Sequence, residues 1–326
     1  MTITADSQAI LLLCSHLGMS ATPDYAPLTL REWNPLARKI QVSRIERPEG
    51  LLDLGVVEIR ELLDITEDEA VRLAKLLERS GALAIELERL ESLGIHLLTR
   101  ADAEYPRNYR QRLKESAPAV LFYAGEAALL GQPGVAVVGS RNLDQAGEEC
   151  AALVGNACGH SGLVLYSGGA KGVDTISMRA ALEARGTAVG ILAHSLEKTI
   201  RASELRNALS RGDLCLATPY SPNAGFSVGA AMGRNRLIYS LAEYAIVVAS
   251  EANQGGTWAG ASEALKAGWV PVFVLEHDNM PEGNRLLIQK GGIAFPHPFP
   301  DYDTLADWLK EHSSGAHSDP TQLKLF

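Results

Sequence analysis

Apolar and polar positions alternate in two different ways along the chain, and the change falls near residue 134. Beyond it, stretches with helical spacing, such as 145–162 and 173–186, separate short runs rich in Val, Ile and Leu. These runs are GVAVVGS (134–140), LVLYSGG (163–169), TAVGIL (187–192), LCLAT (214–218), YAIVVAS (244–250) and VPVFVL (270–275). Near-continuous apolar strands that alternate with helices predict an α/β fold with a doubly wound parallel sheet.

The chain before residue 134 is predicted to be mostly helical. Its clearest element is 65–81, where four apolar residues share one face and acidic residues fill the first turn. Gly81 ends this pattern. We therefore expect a small helical domain over 1–104, a linker over 105–133, the α/β domain over 134–312 and a disordered tail over 313–326.

Composition narrows the class of protein. The chain is 46% hydrophobic and 21% charged, as in ordinary globular proteins, and no apolar run reaches the ~18 residues of a membrane helix. The four cysteines and eight histidines have no metal-type spacing, and the first residues lack the pattern of a signal peptide. These features predict a cytoplasmic protein that has no metal, no cofactor and no contact with membranes.

The net charge of −9 argues against binding to nucleic acid. The charge is unevenly distributed, however. Residues 134–296 hold 13 Lys and Arg against 14 Asp and Glu, a net of −1, whereas residues 1–133 carry −5 and residues 297–326 carry −3. Because the local field governs contact with a phosphate backbone, a focused site in the α/β part stays open.

Four glycine-containing segments fall where predicted strands end and helices begin, which is the ligand-binding edge of a parallel sheet. Glycine lets backbone N–H groups approach an anion, and Arg or Lys adds charge and donors. The spacing matches neither GxGxxG nor a P-loop, and the need for a tight turn explains each loop alone about equally well. The candidate phosphate-binding residues are Gly139, Ser140 and Arg141; Ser167, Gly168, Gly169, Lys171, Gly172 and Asp174; Arg234, Asn235 and Arg236; and Gly255, Gly256 and Thr257.

The order of these segments resembles that of the DprA/Smf family (DNA processing protein A). VAVVGSR (135–141) is similar to the family's strand and GSR turn, and SGGAKGVDTISMRAAL (167–182) to its SGxAxGID loop and following helix. Three later segments resemble the motifs RNRxIAGLS, SGSLxTAxxAxExGRxVFAVP and GxNxLIxxGA. They are MGRNRLIYSLAEYAIVV (232–248), NQGGTWAGASEALKAGWVPVFV (253–274) and GNRLLIQKGGIAF (283–295).

The resemblance implies a Rossmann-like domain that binds the backbone of single-stranded DNA, forms a homodimer and helps to load a RecA-type recombinase in DNA uptake, recombination or defence. It implies that Arg141 and the 167–174 loop contact phosphates, with Lys171 as an added cation. Arg234 and Arg236 fit the family's basic segment. If they open a helix at the same edge, they form a basic surface for DNA; the alternative is that they pair with other side chains as part of the fold. Met178 and Ala231-Met232-Gly233 depart from the family pattern, and they leave a role in transformation, or in a toxin or phage-defence pair, open.

Two other functions remain as alternatives. GGTWAGASE (255–263) is similar to the PGGxGTxxE motif of the LOG family of nucleotide hydrolases, but Thr257 and Glu263 are six residues apart instead of three. No Ser/His/Asp or Cys/His arrangement is recognisable, so we predict no catalytic residue and read Asp174 as a carboxylate at a helix N-terminus. The other alternative is a nucleotide-binding sensor or toxin partner that uses the same pocket without turnover.

The segment QLKLF (322–326) resembles the QLxLF peptide with which bacterial proteins bind the DNA polymerase sliding clamp. A disordered tail would present Leu323, Leu325 and Phe326 as apolar anchors and Gln322 as a polar handle. The alternative is a tail that packs on its own domain. We therefore predict a clamp-binding peptide over these residues.

Overall fold

The computed structural model describes residues 3–20 and 22–313, which form two compact units. The first unit takes the residues up to Ala127 together with His194–Arg206 and Leu216–Phe226. The second takes Ala128–Ala193, Asn207–Cys215 and the chain from Ser227 onwards. Residues 105–127, which the sequence predicts as part of a linker, thus lie within the first unit.

The first unit is mainly helical. Its strands β1 and β2 pair antiparallel, with His96 opposite Tyr123 and Thr99 opposite Val120. The helix predicted over 65–81 begins later, at Glu67, because the Thr66 side chain accepts from the N–H of Glu69 and caps it. The elements are α1 (Ala5–Cys14), α2 (Leu30–Val42), α3 (Val56–Leu63), α4 (Glu67–Leu77), α5 (Ser80–Ser92), β1 (His96–Thr99), β2 (Val120–Gly125) and α8 (Leu196–Thr199).

The second unit alternates strands with helices, as the apolar runs predict. Its elements are β3 (Gly134–Gly139), α6 (Gln145–Ser161), β4 (Val164–Ser167), α7 (Val173–Glu183), β5 (Ala188–Ile191), α10 (Val228–Leu241), β7 (Tyr244–Ala249), α11 (Gly255–Ala267), β8 (Val272–Glu276), α12 (Glu282–Gln289), β9 (Ile293–Pro296) and α13 (Leu305–Ser313). Helix α9 (Ser203–Arg211) and strand β6 (Leu214–Thr218) each contribute residues to both units.

The strands of the second unit run in the order β5-β4-β3-β7-β8-β9, and each strand pairs in parallel with its neighbours in this order. The chain therefore starts in the middle of this sheet at β3, builds outward to β5, and then returns to the other side of β3. Between β3 and β7 the winding direction reverses. In doubly wound sheets, a crevice opens at the carboxyl ends of the two strands that flank such a reversal.

Burial explains why the sequence pattern is so clear here. The strands β4, β5 and β8 are buried along almost their whole length, because helices cover both faces of the sheet. The observed strands lie within about two residues of the predicted runs. Among the described residues, no helix is both long and apolar enough to cross a membrane.

Candidate functional site

A cavity of about 310 Å³ lies at the carboxyl ends of β3 and β7, where the winding reverses. All of its lining residues belong to the second unit. They come from the end of β3 and the turn after it (Val138, Gly139, Ser140, Arg141 and Asn142), the connection from β4 and the first turn of α7 (Ala170 and Asp174), helix α10 (Ala231, Arg234, Asn235 and Ile238), and the connection from β7 with the first turn of α11 (Glu251, Gln254, Gly255, Gly256 and Thr257). The structure thus brings together parts of all four predicted segments.

The turn after β3 carries Arg141 at the rim of the cavity. The N–H of Ser140 donates to the carbonyl of Ala249 at 2.8 Å, which ties this turn to the end of β7. The Ser140 hydroxyl accepts from the N–H of Asn142 at 3.2 Å. Arg141 is exposed and lines the cavity. A guanidinium in this position is well suited to contact a phosphate that enters from solvent.

The residues Ser167–Gly172, called the glycine loop below, connect β4 to α7. The N–H groups of Gly168 and Ala170 both donate to Asp174 Oδ2, each at 3.2 Å. Asp174 itself is only 6% exposed. The Gly168 amide and Asp174 thus satisfy each other inside the protein, which argues against their predicted contact with phosphate. Lys171 is the exposed residue of the loop, as a phosphate contact would require.

Arg234 lies in the second turn of α10, not at its start, and it is buried. Of the two interpretations of Arg234, a basic surface and structural pairing, this burial favours the second, because the side chain turns inward to Asp174. Its Nη1 is 4.0 Å from Asp174 Oδ2, which is an ion pair without hydrogen-bond geometry. Burial raises the pKa of Asp174, and the Arg234 guanidinium with the amides of Ala170 and Gly168 opposes that rise.

The other two residues of the predicted basic segment are half-buried on α10. Asn235 faces α11 so closely that a Cβ on Gly256 would lie 2.6 Å from its Nδ2. Arg236 Nε donates to the carbonyl of Gly233 at 3.2 Å. Asn235 also lines the cavity, so its contact with phosphate stays a prediction. One hydrogen-bond donor of Arg236 is therefore used within its own helix.

The start of α11 lines the cavity through Gly255, Gly256 and Thr257. The first-turn N–H groups of a helix have no acceptor within the helix, and the helix dipole is positive at that end. The same cavity therefore combines these helix N-terminal residues with the exposed Arg141. Gln254, at the N-cap, and Glu251 also line the cavity.

Sequence reasoning missed Glu251, because it lies outside the glycine turns and only the path of the chain after β7 brings it to the cavity. It also missed the pairing of Asp174 with Arg234, which no local pattern signals. The predicted clamp-binding residues 322–326 lie outside the described residues.

Two observations bear on catalysis. Glu263, the glutamate compared with that of the LOG motif, is exposed on α11 and is absent from the cavity lining. Within residues 3–20 and 22–313, no group of three or more His, Cys, Asp or Glu side chains is placed to hold a metal ion.

Known proteins resemble this chain in sequence over the part that contains the cavity. The sequence model of the family described as DNA recombination-mediator protein A matches residues 96–298. The putative DNA processing protein DprA of Mycobacterium tuberculosis is 31% identical over 195 residues, which are 55% of this chain and 50% of that protein. Protein Smf of Escherichia coli is 29% identical over 240 residues, which are 70% of this chain and 62% of that protein.

Solved structures share the fold. The crystal structure of DNA processing protein A from Streptococcus pneumoniae superposes with a TM-score of 0.66 at 23% identity, covering 94% of this chain and 99% of that one. A DNA processing protein A from Helicobacter pylori, whose structure is described in terms of its single-stranded DNA binding mode, gives a TM-score of 0.54 at 23% identity, covering 67% of this chain and 96% of that one.

The chain spans about half to two thirds of the length of the curated relatives it matches. The family match nevertheless covers more than half of this chain and includes every strand of the second unit. The turn with Arg141, the glycine loop and the start of α11 all fall inside it. The chain belongs to the family of the DNA recombination-mediator protein A, the DprA/Smf family.

Proposed function

We propose that this protein binds single-stranded DNA through its sugar–phosphate backbone at the β3–β7 cavity, in the cytoplasm, as a mediator of recombination. One observation carries the proposal: exposed Arg141 and the first turn of α11 line the same cavity, which brings a guanidinium and the N-terminus of a helix to one site. The family match and the single-stranded DNA binding mode described for the H. pylori protein support the choice of ligand.

The chemistry of the cavity favours the backbone over the bases. Backbone amides and an arginine recognise phosphate oxygens, which every nucleotide carries, so sequence preference is expected to be weak. Exposed Lys171 is a second cation, on the glycine loop whose Gly172 packs against the backbone of Arg141. The overall negative charge should limit non-specific attraction and confine binding to this site.

The double variant Arg141→Ala/Lys171→Ala is expected to bind an oligothymidylate about 100-fold more weakly, since two charged contacts of about 1.5 kcal/mol each are lost. Its plot of log affinity against log salt should also be less steep by about 1.4, because each phosphate contact on a single strand contributes about 0.7. Fluorescence anisotropy at four salt concentrations measures both quantities.

Arg179→Ala provides the matched control, since Arg179 is an exposed arginine on α7 that does not line the cavity. Wild-type affinity in a correctly folded Arg141→Ala/Lys171→Ala variant would reject the site. A free mononucleotide added as competitor separates the remaining alternatives. Displacement of the oligonucleotide at equal concentration would favour a nucleotide sensor, and release of a free base would favour a LOG-like hydrolase.

The proposal includes protein partners. We infer a homodimer and a RecA-type recombinase as partners from membership of the DprA/Smf family. The sliding clamp follows from the sequence QLKLF at residues 322–326. Three large apolar side chains and one amide within five residues match the anchors that short docking peptides use.

Changing Leu325 and Phe326 to Ala, or deleting residues 322–326, should abolish binding to a bacterial sliding clamp. Because binding must order the peptide, we expect a micromolar dissociation constant for the intact chain, about −8 kcal/mol. Single-stranded DNA affinity should stay unchanged in both variants. Lys324→Ala, at the variable position of the motif, is the control and should bind as the intact chain does. An absence of heat at tens of micromolar in calorimetry, or unfolding of the truncated chain, would contradict the prediction.

A further inference from the structure

The acceptor at the centre of the glycine loop comes from inside the protein. The N–H groups of Gly168 and Ala170 converge on one oxygen, Asp174 Oδ2. In glycine-rich anion sites, such converging amides usually face a bound phosphate. Here the carboxyl group of the following helix occupies that position. These two donors are therefore unavailable to DNA, although the sequence of the loop suggests the opposite.

Arg234 packs on the same arrangement from α10. Its side chain is 7% exposed, and a Cβ on Gly168 would lie 1.4 Å from its Nη1. The guanidinium thus lies directly against the Gly168 backbone, and only glycine leaves room for it. Gly168 is held on one side by its bond to Asp174 and on another by contact with Arg234.

The glycine loop also packs on the turn that carries Arg141. Gly172 has φ +89°, and a Cβ there would lie 2.6 Å from the carbonyl oxygen of Ser140 and 2.8 Å from Arg141 Cα. Lys171 lies between Ala170, whose N–H bonds to Asp174, and Gly172, which touches this turn. The backbone on both sides of Lys171 is therefore fixed by contacts that do not involve its side chain.

We propose that Asp174 and Arg234 are positioning residues for the DNA site: they take the place of an external anion in the glycine loop and hold Lys171 where it meets a phosphate. The inference rests on the proposed function for the role of Lys171. The conformation of the loop is measured without DNA, so a failure of the proposed function and a failure of this inference give different results.

The first test removes the carboxyl group and supplies a substitute. Asp174→Gly should lose hydrogen-exchange protection at Gly168 and Ala170 and bind oligothymidylate about tenfold more weakly. Sodium formate, a carboxylate small enough for the space that is left, should restore both properties at constant ionic strength, whereas chloride should not. Glu183→Gly, which removes an exposed carboxylate from the same helix, should respond to neither salt.

The second test is a double-mutant cycle, which a merely structural role would not satisfy. If Asp174 acts through Lys171, then Lys171→Ala should cause little further loss in the Asp174→Gly background. Arg141→Ala should still add its full loss there. Additive losses for Asp174→Gly and Lys171→Ala would overturn the inference, as would wild-type DNA affinity and exchange protection in Asp174→Gly, or formate no more effective than chloride.

Asp174→Asn covers the case in which Asp174→Gly does not fold. Asparagine keeps an acceptor oxygen for the two amides but gives up the charge that faces Arg234. This variant should keep protection at Gly168 and Ala170, bind DNA several-fold more weakly, and show the same lack of additivity with Lys171→Ala. Loss of protection with unchanged DNA affinity would overturn the inference. If the wild-type chain binds no oligonucleotide while the exchange results hold, the proposed function fails and the internal carboxyl contact stands.

Discussion

Asn284→Asp is expected to lower the free energy of unfolding by roughly 3–5 kcal/mol, although it changes only one amide group. Asn284 is fully buried and joins three backbone groups of the second unit. Its Nδ2 donates to the carbonyls of Val248 and Leu275, at 3.0 and 2.8 Å, and its Oδ1 accepts from the N–H of Ser250 at 2.8 Å. Aspartate keeps the acceptor but sets a carboxylate oxygen against two carbonyl oxygens.

Urea denaturation at pH 7 measures this loss. Burial beside two carbonyls should raise the pKa of the introduced carboxyl above its unfolded value of about 4. The folded state then binds the extra proton more tightly, so the loss should shrink as the pH falls toward 5. Asn207→Asp, at an exposed position, is the control and should change stability little at either pH. A loss below about 1 kcal/mol for Asn284→Asp would show that the three contacts are not holding this region.

The same variant should also weaken DNA binding. Asn284 fixes the ends of β7 and β8, and the chain from Ser250 leads directly to Glu251, Gln254 and the start of α11, which form one wall of the cavity. GNRLLIQKGGIAF is recognisable as a family motif in the sequence. Its physical purpose becomes clear only when the three backbone partners of Asn284 are seen, because two of them precede it by many residues.

The sheet of the second unit was largely predictable. Strands that are buried on both faces are apolar throughout. Such runs differ clearly from polar loops and from helices that have one solvent-exposed face. Three strands of the described part of the chain, β1, β2 and β9, were not predicted as strands. β1 (His96–Thr99) and β9 (Ile293–Pro296) are four residues long, and most of β9 is only half-buried. Short, partly exposed strands do not need a continuous apolar sequence, so their pattern is weak.

The candidate site was predictable at the level of segments but less so at the level of atoms. Glycine turns after strands indicate where a ligand edge lies, since the carboxyl ends of parallel strands meet at one edge. They do not indicate whether a loop amide points outward to a ligand or inward to a carboxyl group. For Gly168 and Ala170 the partner is inside, and the loop turned out to be partly filled by its own chain.

Arg234 shows that the sequence also does not indicate whether a charged side chain is exposed or buried. Arginine is seldom buried unless it is paired, so a basic segment such as Arg234-Asn235-Arg236 favours a solvent-exposed interpretation. The partner that permits burial lies on another helix, in a distant segment of the chain. No periodicity links the two. Charge reversal at Arg234 should therefore damage the fold, instead of sparing it as an exposed position would.

Arg234→Met is expected to lower the free energy of unfolding by about 3–5 kcal/mol at pH 8, because it leaves Asp174 buried without its cation. Methionine has a length similar to that of arginine and fills much of the space with apolar atoms. The main loss is therefore electrostatic, and it should depend on pH. Removing Arg234 removes a group that holds the pKa of Asp174 down, so this pKa should rise further in the variant.

The direction of the pH effect follows from proton binding. When the folded pKa of Asp174 exceeds the unfolded value of about 4, the folded state holds the proton more tightly. Stability is then greatest below the unfolded pKa and falls as the pH rises through the folded pKa. Urea denaturation of the Arg234→Met variant from pH 5 to pH 8 should show this decline, and the wild type should show a smaller one.

Two further variants serve as controls. Arg234→Met/Asp174→Asn removes both charges and should recover much of the stability at pH 8. Arg179→Met, at an exposed position, should lower the stability little at any pH. A loss that is the same at pH 5 and pH 8, or that the second substitution does not reduce, would mean that Arg234 stabilises the fold by packing and not by its charge.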